Sequence, residues 1–160
     1  MRIVPFDQDQ ASTVAQWPAT SIEALMWCGV REHPFEVRRV EEWQRAQDVS
    51  AFALLDAQET VGYGELWTDD EEDEIELARI IVAPSRRGAG LGQFLVQALL
   101  KEALSRGFND VFMRVHPDNT KAIQCYLKSG FVPVADELAA GWNEPQPVAY
   151  VWLRNPRAES

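Results

Sequence analysis

The spacing of apolar residues divides the chain into a helical first third, a run of alternating strands, and a final stretch where the two periods take turns. Residues 2–6 alternate over the length of a strand, and the polar residues behind them lead into a helical spacing over 8–17 that Pro18 closes. Thr20 or Ser21 is placed to cap a second helix, whose apolar positions Ile22, Leu25 and Met26 run on to Gly29. Residues 30–34 read as loop and 40–47 as a charged helical piece around Trp43. From Ala51 the period becomes two. Residues 51–55 and 61–67 are strands joined by a polar turn, and the acidic run 69–74 turns the chain into a third strand, 75–82, which Pro84 ends. Leu91, Phe94, Leu95, Ala98 and Leu99 then follow the i, i+3, i+4, i+7, i+8 spacing of one helix face, with Gln93, Gln97 and Lys101 opposite. Gly107 is placed where a helix ends in left-handed dihedrals. Residues 111–115 are a strand, and Asp118 or Asn119 opens a helix ending near Ser129 and stopped by Gly130. Residues 131–134 and 148–153 are strands around a polar loop containing Trp142.

This order predicts one mixed α/β domain over residues 1–160, with no repeat, low-complexity segment or linker. Six Trp and seven Phe supply a core with aromatics left over to line a pocket. The formal net charge of −10 excludes a nucleic-acid grip, which needs Lys and Arg along the phosphates, and docking on an anionic membrane. It would attract a cationic partner, although acidity serves solubility equally well. Cys28 and Cys125 stand far apart without metal-ligand spacing, so neither a zinc site nor a disulfide framework is expected. No signal-like run and no membrane-length apolar stretch is present, and the expectation is a soluble cytoplasmic protein.

The chemistry concentrates in Ile80-Ile81-Val82-Ala83-Pro84-Ser85-Arg86-Arg87-Gly88-Ala89-Gly90-Leu91-Gly92-Gln93, where a strand runs through a glycine-rich turn into a helix. Such a turn aims successive backbone N–H groups at one place, and the helix N-terminus adds its positive dipole end; together they suit an anion. A phosphate-binding loop of the Walker type would need Gly-Lys-Ser/Thr, which is missing. A dinucleotide fingerprint would need wider glycine spacing than Gly88, Gly90 and Gly92 give, and an acidic ribose reader that is absent. A glycine-rich turn without a ligand is the remaining alternative.

Arg87-Gly88-Ala89-Gly90-Leu91-Gly92 resembles the Q/R-x-x-G-x-G/A acyl-CoA loop of the GCN5-related N-acetyltransferases, and Val82-Ala83-Pro84 resembles the V-x-P that ends their fourth strand. Asn119-Thr120-Lys121-Ala122-Ile123-Gln124-Cys125-Tyr126-Leu127-Lys128-Ser129-Gly130-Phe131 is similar to a second element of that family, N-x-x-A-x-x-x-Y-x-x-x-G-F. Asn119 and Tyr126 are seven apart, hence on nearly one side of a helix and about 10 Å apart along it. Read alone, Tyr126 is a half-buried aromatic on an amphipathic helix and Asn119 a plain N-cap. The resemblance covers residues 51–131 and implies a mixed, mostly antiparallel sheet whose fourth and fifth strands splay apart to admit acetyl-CoA. It implies that Ile80, Ile81 and Val82 meet the pantetheine through their backbone, and that the amides from Arg87 to Gln93 hold the pyrophosphate. It implies no metal, and a homodimer is a common arrangement in the family.

The same resemblance implies direct attack of a neutral amine on the thioester, with Tyr126 as acid for the departing thiolate and Glu76, six residues before Val82, as the base, commonly acting through water. Arg79 interrupts the alternation of this strand, which predicts a β-bulge. Glu76 is equally readable as a solvated strand charge beside the acidic run. Family members that acylate peptide N-termini carry a second glutamate five residues before the asparagine; Arg114 stands there instead, and His116 nearby reads as incidental. Trp27, Glu32, His33, Phe35, Trp142, Asn143 and Glu144 are candidates for the acceptor side, where aromatics among acids suit a small cationic amine. Packing or surface roles account for them as well. The resemblance leaves open a protein lysine or N-terminal acetyltransferase, and a non-catalytic acyl-CoA sensor.

Overall fold

The computed structural model describes residues 1–108 and 110–156. Seven strands, β1 (Arg2–Pro5), β2 (Val49–Asp56), β3 (Glu59–Asp69), β4 (Glu74–Val82), β5 (Asp110–Val115), β6 (Val132–Pro133) and β7 (Val151–Arg154), form one sheet in the order β1-β2-β3-β4-β5-β7-β6. Six helices accompany it: α1 (Ala11–Ala15), α2 (Ser21–Cys28), α3 (Val37–Trp43), α4 (Leu91–Ser105), α5 (Thr120–Lys128) and α6 (Asp136–Asn143). Among the described residues no helix is long and apolar enough to cross a membrane.

Every neighbouring pair in the sheet is antiparallel except β4 and β5. That parallel pair is short, joining Glu74, Ile75 and Glu76 to Asp110, Val111 and Phe112. Beyond Glu76 the two strands part, which is the splay the motifs imply. The bulge lies where Arg79 breaks the pattern. Glu65 of β3 faces Ala78 and Tyr63 faces Ile81, so two steps on β3 meet three on β4, and Arg79 takes a left-handed φ of 48°. A residue with a Cβ resists that region, so its neighbours must hold it there.

The bulge also changes which side each residue of β4 faces. Ile75 and Leu77 enter a core built with Leu95, Leu99 and Met113, on the α4 and α5 side. After Arg79, Ile81 joins a second core on the opposite face, with Trp27, Phe35 and Tyr63 under α1–α3, while Ile80 and Val82 pack against the first. A plain strand would have kept a single phase.

Three local expectations need correction. Phe94 is 43% exposed, because the buried stripe of α4 is Leu91, Leu95, Val96, Leu99 and Ala103 and passes to one side of it. The supposed polar loop around Trp142 contains α6, whose Asp136 and Glu137 in the first turn complement the helix dipole. The last strand begins at Val151 rather than 148. Asn143 at the end of α6 takes the Tyr150 N–H on its Oδ1 (3.1 Å) and donates its Nδ2 to the Tyr150 carbonyl (3.0 Å), holding that residue in the loop.

Candidate active site

A cavity of about 550 Å³ occupies the splay. Ile80, Ile81 and Val82 form one wall, Arg87, Gly88, Gly90, Leu91, Gly92 and Gln93 the glycine turn at one end, and Asn119 and Tyr126 the opposite wall on α5. These are the residues the loop and helix motifs single out; Ala89 alone of that set does not line it. A second cavity of about 40 Å³ is lined by five of the same residues, Met26, Trp27, Ile80, Asn119 and Tyr126, and reaches Arg79 and Arg114 on the far side.

Two glycines of the turn act for different reasons. Gly90, immediately before α4, has φ = 82°, a conformation cheap for glycine only. Gly92 lies inside the helix, and a Cβ there would stand 3.1 Å from Cys125 Sγ, so it lets α4 approach α5. Arg87 braces the turn, donating Nε to the Val82 carbonyl (3.0 Å) and pairing through Nη1 with Glu23 of α2 (2.9 Å). Arg86 ties it to the β2–β3 hairpin through Asp56 and Glu59, both at 2.8 Å. Lys121 and Lys128 also line the cavity, and among the described residues neither has an ion-pair partner. The sequence reading did not single them out, since surface lysines on a short helix carry no distinguishing pattern.

Asn119 caps α5 and borders the cavity at once. Its Oδ1 accepts the Ala122 N–H at 3.4 Å, and its Nδ2 has no partner among the described residues. Tyr126 is 9% exposed, borders both cavities, and its hydroxyl bonds to no described residue. Burial pushes its phenol above the ordinary value, so the hydroxyl keeps its proton at neutral pH. A protonated donor that bonds to no described residue and borders two cavities can serve an anion arriving there.

Glu76 is placed differently. It is 5% exposed, on the face of β4 opposite α4, and it borders neither cavity. Arg114 grips both of its oxygens, Nε to Oε2 at 2.8 Å and Nη2 to Oε1 at 2.9 Å, and donates Nη1 to Gln146 Oε1 at 3.2 Å. Arg114 also lies 4.9 Å from the Trp152 ring and 5.7 Å from those of Trp67 and Tyr150.

Beside this pair lies another, which the sequence did not disclose. Glu65 on β3 is fully buried and accepts hydrogen bonds from the Tyr63 hydroxyl, from Trp67 Nε1 at 2.7 Å and from Arg79 Nη1 at 2.9 Å. Desolvation pushes its carboxyl up, against the pull of Arg79 and the two hydrogen-bond donors. The Trp27 indole donates to the Arg79 carbonyl at 2.8 Å, so side chain and backbone of the bulge are both held. The one visible signal was Arg79 itself, out of phase in its strand.

Of the acceptor candidates, Trp27 alone borders the cavities; Phe35 packs against it with ring centres 5.1 Å apart, and Glu32 pairs with Arg39 at 2.6 Å. Trp142 packs on Phe112 and Trp152, and His33 and Glu144 are exposed. His116 Nδ1 accepts the Asp118 N–H at 3.1 Å, a turn contact. No group of three or more metal-ligating side chains occurs among the described residues.

The family model described as the acetyltransferase (GNAT) family matches residues 16–131. The chain belongs to that family. A mycothiol acetyltransferase of Corynebacterium glutamicum (strain R) is 30% identical over 122 residues, 73% of this chain and 40% of that protein, and one from Nocardia farcinica is 30% identical over 119 residues, 72% of this chain and 39% of that protein. The chain thus spans less than half the length of these curated relatives. Among solved structures, the aminoglycoside acetyltransferase AAC(6')-Ib in complex with coenzyme A superposes with a TM-score of 0.73 at 20% identity, covering 98% of this chain and 94% of that one. The spermidine N-acetyltransferase of Vibrio cholerae in complex with CoA and spermine gives 0.71 at 18% identity, covering 95% and 91%. At such identities the likeness is one of fold.

Proposed function

We propose that this chain transfers an acetyl group from acetyl-CoA to a primary amine of a small molecule, by direct attack within a ternary complex. The observation that carries the reading is a pair of cavities that share Met26, Trp27, Ile80, Asn119 and Tyr126 as lining. The larger, with the glycine turn at one end, has the lining for the cosubstrate, and Tyr126 borders both it and the smaller one. Backbone N–H groups of the turn and the N-terminus of α4, with Lys121 and Lys128, would hold the phosphates. Ile80–Val82 and the Asn119 amide would meet the pantetheine arm. The amine nitrogen attacks the thioester carbon from the smaller cavity, the C–S bond breaks, and the leaving thiolate takes the Tyr126 proton. The attacking nitrogen gives its proton to a water that passes it to Glu76, with Arg114 as the fixed counter-ion of that carboxylate.

The net charge of −10 favours an acceptor that brings at least one cationic group, as do the aminoglycosides and spermidine in the names of two structural neighbours. The test is thiol release from acetyl-CoA over a panel of polyamines, aminoglycosides, amino acids and basic peptides, alongside the shift of thermal midpoint with acetyl-CoA. Release dependent on a small-molecule amine is expected. Acetylation confined to the peptides, or a midpoint that shifts without release for any amine, would overturn the reading.

A further inference from the structure

We infer that the acceptor carries a carboxylate near its amine, and that Arg79 is the residue that recognises it. The inference rests on the proposed function and refines its acceptor class. Two Arg–Glu pairs flank the indole of Trp67, which lies 4.9 Å from the guanidinium of Arg79 and 5.7 Å from that of Arg114. In both pairs the acid lies beneath the base. The side chains of Glu65 and Glu76 are 0% and 7% exposed, those of Arg79 and Arg114 20% and 27%. Each pair is neutral as a whole and turns its guanidinium end outward. A second cationic group on the acceptor would meet guanidinium first.

The two arginines differ in what they have left to give. Arg114 spends three N–H bonds, two on Glu76 and one on Gln146. Arg79 spends one, from Nη1 to Glu65; its Nε is buried with no partner among the described residues, so the Nη1–Nη2 end is what it has left to offer. Its guanidinium lies against the rings of Trp43 (4.0 Å) and Trp67, so stacking occupies its faces and leaves its edge for hydrogen bonds. An in-plane fork of N–H donors is what a carboxylate matches and an ammonium cannot use. Arg79 borders the smaller cavity together with Tyr126, so a group bound to it is held next to the proposed reaction centre. The bulge explains how a residue of β4 comes to be there, and the Trp27 bond to its carbonyl fixes it in place.

The experiment compares amino acids with their own amides, which keep the amine and lose the carboxylate, at an alkaline pH where both amines are largely neutral. Turnover is read by thiol release, and binding to CoA-saturated protein by calorimetry. The acid is expected to exceed its amide by at least about tenfold in kcat/KM and in affinity. Arg79→Gln should raise KM for the acid about tenfold with kcat nearly held and leave the amide unchanged, while Arg79→Lys recovers part of the loss. If Arg79→Gln does not fold, Arg79→Met with Glu65→Gln removes the same fork without stranding a buried carboxylate. Amides as good as acids, polyamines as the best acceptors, or equal losses for both members of a pair would overturn the inference. Should no amine be acetylated at all, the proposed function fails, and the calorimetric preference for acid over amide still decides this point.

Discussion

Replacing Arg114 by Gln tests the account of the β4–β5 splay most directly, because it strands a specific charge. Glu76 has both oxygens on Arg114 and is 5% exposed, so the substitution leaves a carboxylate in the sheet without its counter-ion. Breaking a buried pair from one side costs about 3–5 kcal/mol. Arg114 is itself 27% exposed, so water can reach part of the vacated space, and about 2–3 kcal/mol is the expected loss. In a chain of this length that corresponds to a drop in melting temperature of roughly 5–10 °C. Urea denaturation of the wild type, Arg114→Gln, Glu76→Gln and the double variant closes a thermodynamic cycle. The double variant should be more stable than Arg114→Gln by at least about 1 kcal/mol, because no charge is then left buried. It should not regain the wild-type value, since the contact of Arg114 with Trp152, about 0.5–1 kcal/mol, stays lost. A loss under about 0.5 kcal/mol, or strict additivity of the two single variants, would refute the claim that this pair is buried and coupled.

Tyr126→Phe keeps the packed ring and removes only the unpartnered hydroxyl, so turnover should fall at least ~10-fold while acetyl-CoA affinity holds; a fully active variant takes Tyr126 out of the mechanism. Glu76→Gln should depress turnover most at lower pH, where fewer amines are already neutral, and a loss of equal size at every pH would mark Glu76 as an anchor for Arg114 only. Burial raises the phenols of Tyr63 and Tyr126 above their ordinary value of 10.0, so what they contribute to stability is complete below about pH 10 and disappears as the pH rises beyond it. Urea midpoints should therefore decline above about pH 10, and less steeply in Tyr126→Phe.

Legibility in the sequence followed how local each cause is. The glycine turn, Asn119 and Tyr126 are spaced along single elements, and the structure brings them around one cavity as those spacings require. The bulge was readable because Arg79 breaks a period of two within its own strand. The partner of Arg79 was not readable, because Glu65 is the one charged residue in the run 61–67 of β3, fourteen positions away, and only the register of β3 on β4 makes them neighbours. The same holds for Glu76 and Arg114, thirty-eight positions apart and joined across the single parallel step of the sheet. The reason for Gly92 was hidden too, since the atom it makes room for belongs to α5. The first turn of α6 carried its dipole-matching acids in plain view, but Gly141 interrupts the pattern and no residue of the helix is buried to mark a face.

Net charge and site charge part company for a similar reason. In the count of −10 Glu65 and Glu76 cancel against Arg79 and Arg114, so the surplus of acids lies elsewhere on the chain. Charges separated by more than a Debye length, about 8 Å at physiological ionic strength, are largely screened from one another when exposed. An amine already in the smaller cavity therefore responds to the groups that border it, and those are Arg79 and Arg114. The remaining acids act earlier, on the approach, where a weak attraction for the ammonium end of a zwitterion and a local grip on its carboxylate can work in sequence. A net negative chain and a wall that turns guanidinium edges outward are thus compatible, and together they favour an acceptor that carries both signs over one that carries positive charge alone.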